Sequence, residues 1–110
     1  MAGIQSDWLR AAKDLISKPE AWTQHTNARD AQGKKIASRN PAAVCFCGFG
    51  ALIRVEPEKT VRRDQTYFYL NRMVPGCLDY VEWQDAPERT HDEVMNVFSR
   101  AIAQAEAEGM

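Results

Sequence analysis

The side chains able to do chemistry fall into two groups. The first is thiol and imidazole: Cys45 and Cys47 two positions apart, then Cys77, His25 and His91 scattered along the chain. Structural zinc takes four ligands, most often from two close pairs. Only one close pair exists here, so no metal set is expected. On a helix Cys45 and Cys47 would point in nearly opposite directions, and free cysteine commonly acts as a small buried hydrophobe. A cysteine nucleophile needs a base within reach and an electropositive, partly exposed setting. His25 or His91 would serve Cys47 or Cys77 only if the fold gathered them. His91 also falls in the first turn of an expected helix, where a charged imidazolium is disfavoured. No catalytic residue and no cofactor are assigned.

The second group is aromatic and charged: Trp22, Arg29, Trp83, Asp85 and Arg89, the candidate ligand-binding residues. Trp22 and Trp83 stand at the edges of expected strands, outside the apolar runs, and a tryptophan there is either buried or engaged in binding. Arg29 precedes Asp30 at an expected turn, where its guanidinium could hold a phosphate or carboxylate in bidentate fashion. The bland reading is solvated turn chemistry. The run Trp83-Gln84-Asp85-Ala86-Pro87 leads into a helix start, a natural anion site. There too Asp85 and Arg89 could simply bond backbone and fix the approach. Both segments are expected on the same side of the domain.

Lys59, Arg62, Arg63 and Arg72 form a small basic cluster, usually a solvated face. The formal net charge is −1, which argues against broad nucleic-acid binding. No helix-turn-helix spacing and no glycine-rich phosphate loop is evident.

The elements that must position these groups follow from caps and periodicity. A helix is expected from Ser6, as cap, to Ser17, with Trp8, Leu9, Ala12, Leu15 and Ile16 on one stripe and Pro19 ending it. Ala21 to Ser38 predicts a hairpin turning at Asp30-Ala31-Gln32-Gly33, with Ala21 to Gln24 and Lys34 to Ala37 as its strands. Asn40-Pro41 is a good helix start, and Ala42 to Ile53 is almost wholly apolar, so a buried central helix is expected there. Gly50 would then lie against a neighbouring backbone. Thr60 to Met73 predicts a helix, with Val61, Phe68 and Leu70 reaching the core, and Pro75-Gly76 a turn. Leu78 to Trp83 alternates as a third strand would. Thr90-His91-Asp92-Glu93 is a capping box, followed by Val94, Val97, Phe98, Ala101, Ile102 and Ala105 on one face and ended by Gly109.

In order, the chain carries Trp22-Thr23-Gln24, Ala28-Arg29-Asp30-Ala31-x-Gly33, Cys47-Gly48-Phe49-Gly50-Ala51-Leu52, Trp83-Gln84-Asp85 and Arg89-Thr90-x-x-Glu93-Val94. This succession resembles a family of short, uncharacterised bacterial and phage proteins, a domain of unknown function. The resemblance spans nearly the whole chain. That family typically has Trp-Cys before its Gly-Ala-Leu stretch and a later Trp-Asn-Asp. Here Phe46 stands in place of the tryptophan and Gln84 in place of the asparagine. The resemblance implies a small α+β bacterial or phage protein and supplies no activity.

The chain has 110 residues, 45% of them hydrophobic and 26% charged, ordinary values for one globular domain. No apolar run is long enough to span a membrane, and the first residues lack the pattern of a signal peptide. The odd number of cysteines fits a reducing compartment, so a soluble cytoplasmic protein is expected. The fold expected is α+β: three or four helices on a small, mostly antiparallel sheet, with the helix at 42–53 in the centre. The leading function is a non-enzymatic accessory or binding protein that engages a small ligand or a protein partner. The alternatives are a small-molecule enzyme using Asp85, Arg89 or Cys47, and a nucleic-acid-associated regulator. The oligomeric state stays open.

Overall fold

The computed structural model describes residues 4–56, 61–77 and 79–110, and the side chains of 61–64 and 77 lie outside the description. Among the described residues the α-helices are α1 (Ile4–Leu15), α2 (Gly48–Val55), α3 (Val61–Met73), α4 (Tyr80–Gln84) and α5 (His91–Ala107). The strands β1 (Ala28–Arg29) and β2 (Cys45–Phe46) pair antiparallel, Ala28 opposite Phe46 and Arg29 opposite Cys45. This is an α+β arrangement in which helices supply nearly all the core.

Helix α1 packs on α2, α3 and α5, and α3 packs on α5. Leu9 and Ala12 of α1, with Ile16 just past its end, are buried in one core cluster with the face of α5 formed by Val94, Val97, Phe98, Ala101, Ile102 and Ala105. That α5 face is the one its sequence spacing predicts. At the head of α5 the Thr90 hydroxyl accepts from the Glu93 amide while the Glu93 carboxylate accepts from the Thr90 amide, so both orphan donors are satisfied. Ser6, expected as the cap of α1, lies inside that helix, fully buried. Its amide donates to the Met110 carbonyl, 3.1 Å away.

Further expectations are corrected, the helix count among them, since five α-helices stand among the described residues where three or four were expected. The apolar run at 42–53 is not one helix. Asn40-Pro41 makes a turn, with the Asn40 side chain accepting from the Ala42 amide. Cys45–Phe46 then runs extended because β1 needs a partner, and α2 begins only at Gly48, capped by Cys47. The part of the run that is helical is buried as expected, at Gly48, Gly50, Ala51 and Leu52, and packs on α1. Leu78 to Trp83 does not form a strand, Leu78 itself lying outside the described residues. Asp79 caps α4 by accepting from the Val81 amide, and Tyr80, Trp83 and Gln84 are buried at helical spacing. The expected hairpin survives only in part. Its turn is present, with Gly33 at φ 82° and Asp30 accepting from the Gln32 and Lys34 amides. Its arms are not: Arg29 bridges Lys35, whereas Trp22 bridges Phe46 in parallel sense. In α3, Leu70 reaches the core as expected and Phe68 does not, being 55% exposed.

Candidate functional site

The two segments singled out in the sequence come together edge to edge. After the 3-10 turn Pro19–Ala21, the chain from Trp22 to Asn27 crosses the C-terminal end of α4. The Gln24 amide nitrogen donates to the carbonyls of Gln84 (2.6 Å) and Ala86 (3.0 Å). The His25 backbone amide donates to Asp85 Oδ1 at 3.0 Å. His25 is held at φ 70°, and no other non-glycine among the described residues has a positive φ. Its imidazole is exposed, 4.0 Å from Asp85 Oδ2. The Trp22 indole lies beside the His91 ring, and its Nε1 is buried with no partner among the described residues.

Each charged candidate has an internal task. Arg29 donates to Thr23 Oγ1, the Gly33 carbonyl and the Gln24 carbonyl, clamping the turn to the Trp22–Asn27 segment. Arg89 stacks 4.1 Å from the centre of the Trp83 indole, donates through Nε to the Trp83 carbonyl and pairs with Glu93 at 2.9 Å. Trp83 is buried against Tyr80. At the start of α5 the Thr90 and Glu93 amides are already met, by the Glu93 carboxylate and the Thr90 hydroxyl. The Glu93 carboxyl is held below the ordinary carboxylate range, first by the Thr90 amide. His91 Nε2 lies 2.7 Å from the Ile16 carbonyl, tying the start of α5 to the end of α1.

Beneath this seam lies a buried polar cluster centred on Gln84, which sequence reasoning noticed only as a departure from a motif. Gln84 is fully buried; its Oε1 accepts from the Gly48 amide (2.8 Å) and its Nε2 donates to Asp85 Oδ1 (3.0 Å). Cys47 adjoins it. The thiol sulfur accepts from the Gly50 amide at 3.2 Å and sits 4.0 Å from Asn27 Oδ1. Burial pushes the Cys47 thiol up, outweighing the amides that favour the thiolate. The Tyr80 hydroxyl, fully buried, presses on Gly48 and has no partner among the described residues. Burial also raises Tyr67, whose hydroxyl bridges the Asp79 carboxylate and the Val81 amide. Gln24 was visible only as the end of the Trp22-Thr23-Gln24 motif, and no sequence signal marks Asn27, Tyr67 or Tyr80 as belonging here, since their types are ordinary and only the fold gathers them.

The remaining sequence candidates stay apart. Cys45 is half-buried and Cys47 buried, both as free thiols, and the Cys77 side chain lies outside the description. No three His, Cys, Asp or Glu side chains among the described residues could jointly hold a metal. Lys59 and the side chains of Arg62 and Arg63 also lie outside the described residues, while Arg72 pairs with Glu108 at 3.0 Å. No helix among the described residues is long and apolar enough to cross a membrane.

The fold and this seam define a small, mostly helical protein with a polar junction between an irregular segment and a short helix. The chain belongs to the family of unknown function DUF6197, whose model matches residues 4–104. No curated protein and no solved structure matches it.

Proposed function

We propose that this is a non-enzymatic accessory or binding protein, cytoplasmic and of bacterial or phage origin. It engages a small ligand or a protein partner along the seam formed by Trp22, His25 and Arg29 on one side and Trp83, Asp85 and Arg89 on the other. The observation that carries this reading is His25. A side chain other than glycine at φ 70° is uncommon, and such conformations gather at ligand clamps and switches. Here the strain presents an imidazole that is 61% exposed next to a carboxylate that is 25% exposed. Binding is favoured over catalysis because the cations are engaged with backbone carbonyls and the Cys47 thiol is pushed away from its nucleophilic form.

The enzyme reading keeps one observation in its favour, the placement of Cys47 Sγ against an amide of the first turn of α2. It requires a thiolate, which burial opposes. Native mass spectrometry of the protein purified from its host tests the seam. A retained small-molecule or protein mass, lost in His25→Asn with an unchanged melting temperature, is the expected result. Asparagine tolerates the left-handed backbone, so that variant tests the imidazole itself. Retention as strong in His25→Asn and Asp85→Ala as in the parent protein, or the absence of any retained mass, refutes the seam as the binding surface.

A further inference from the structure

We propose that the segment from Thr23 to Asn27 is a strap that opens locally, ahead of global unfolding, and that its opening governs access to the Cys47 thiol. The strap covers the first turn of α2. The Cys47 amide donates to the Asn27 carbonyl at 3.1 Å, and a Cβ on Gly50 would fall 1.9 Å from that same oxygen. Asn27 is exposed while Cys47 keeps 3% of its surface, so Asn27 is the outer layer and the thiol lies behind it.

The strap is held by polar bonds at a partly wetted surface. Thr23, Gln24 and Thr26 are half-buried and His25 and Asn27 exposed, so none of the five belongs to the core. The flanking residues do: Ala28 is fully buried and Trp22 packs on the core cluster. Segments poor in buried apolar contacts open at free energies below that of the whole fold. The anchored ends limit the opening to the five residues between. Opening also releases the left-handed strain at His25.

One carboxylate links the strap to the helix it covers. Asp85 Oδ1 accepts from the His25 amide on the outside and from Gln84 Nε2 on the inside, and Gln84 Oε1 holds the Gly48 amide. Gln24 adds its two bonds across the same junction. Uncovering Cys47 removes desolvation, the largest cause of its raised pKa, and leaves the Gly50 amide still favouring the thiolate. The thiol is therefore inert under the closed strap and reactive toward soft electrophiles when the strap lifts. This does not depend on what docks at the seam.

Iodoacetamide labelling of the full chain carrying Cys45→Ser and Cys77→Ser tests the proposal. The thiolate sulfur displaces iodide, an S–C bond forms, and the thiol proton passes to buffer. The labelling rate should be slow and nearly independent of urea well below the unfolding transition, then rise steeply within it. Asp85→Ala and Gln24→Ala should each raise the low-urea rate about tenfold. Tenfold corresponds to about 1.4 kcal/mol, near the lower end of what a hydrogen bond to a charged group such as Asp85 contributes and within the sum of the two neutral bonds that Gln24 makes. Labelling that follows global unfolding at every urea concentration overturns the proposal, as does an unchanged rate in folded Asp85→Ala. Labelling at the rate of an unstructured cysteine peptide overturns it as well. Should Asp85→Ala fail to fold, the urea series of the parent chain and Gln24→Ala decide.

Discussion

Gly50→Ala is the most direct test of how the irregular segment is fastened to α2. An added Cβ would stand 1.9 Å from the Asn27 carbonyl oxygen, 2.6 Å from its carbon and 2.9 Å from Asn27 Cα. All three atoms are backbone, so no side-chain rotation relieves the overlap. The Asn27 carbonyl cannot retreat without losing the Cys47 amide that donates to it at 3.1 Å. Overpacking of this kind costs about 1–3 kcal/mol, and the lost hydrogen bond adds about 1 kcal/mol. Against this, alanine is favoured over glycine inside a helix by about 1 kcal/mol. The net expectation is a destabilisation of about 1–3 kcal/mol, and 2 kcal/mol would lower the melting temperature of a domain this size by roughly 8 °C. Urea denaturation followed by far-ultraviolet circular dichroism gives both midpoint and slope; the midpoint should fall with the slope unchanged. Gly33→Ala is the companion, because nothing lies within 4 Å of its Cβ and its φ of 82° supplies strain alone. If Gly50→Ala is as stable as the parent chain, Asn27 does not sit where the structure has it and the strap argument falls with it.

Removing the α5 cap by Thr90→Ala should cost about 1 kcal/mol in the same urea assay, and a cost near zero would mean the capping box contributes nothing in solution. Gln84→Ala leaves the buried Gly48 amide without its acceptor and should cost about 1–3 kcal/mol; an unchanged midpoint would show that the Gly48 amide finds another partner. Tyr67, Tyr69 and Tyr80 are all raised above the ordinary tyrosine value of 10, burial being the first cause for each. The stability linked to keeping them neutral is present below pH 10 and is lost as pH rises through the higher folded-state values. Absorbance at 295 nm should therefore stay low through pH 10 and climb together with unfolding, and a simple titration centred at 10 would contradict their environments. Glu93 works in the opposite direction: its carboxyl is lowered from 4.5, so its contribution is full above that pH and disappears as pH falls through the lower value. A carboxyl carbon titration by nuclear magnetic resonance that places Glu93 at or above 4.5 would exclude the cap geometry.

The sequence by itself determined the elements whose signals are local. Thr90 and Glu93 lie three residues apart, within one helical turn, so the capping box and the apolar face from Val94 to Ala105 were legible without any tertiary partner. The turn at Asp30 to Gly33 was legible for the same reason, because its bonds close within five residues. The apolar runs were not. Ala42 to Ile53 carries no periodicity that separates strand from helix, and what divides it at Cys47 is β1, whose Arg29 pairs with Cys45 from an earlier part of the chain. Leu78 to Trp83 alternates like a strand, but Asp79 caps its first turn and α4 buries Tyr80, Trp83 and Gln84 together. The seam shows the same division. Trp22, Asp85 and Arg89 could be named from residue type, whereas their common junction depends on Gln24 and His25 meeting residues 60 positions away. Contacts at that separation are made by whichever side chains the packed helices happen to bring within 3 Å, and a polar side chain carries no mark of its distant partner. Only the tertiary structure decided that Gln84 would be buried, that Asn27 would cover Cys47, and that His25 would be held in a left-handed conformation to make the junction close.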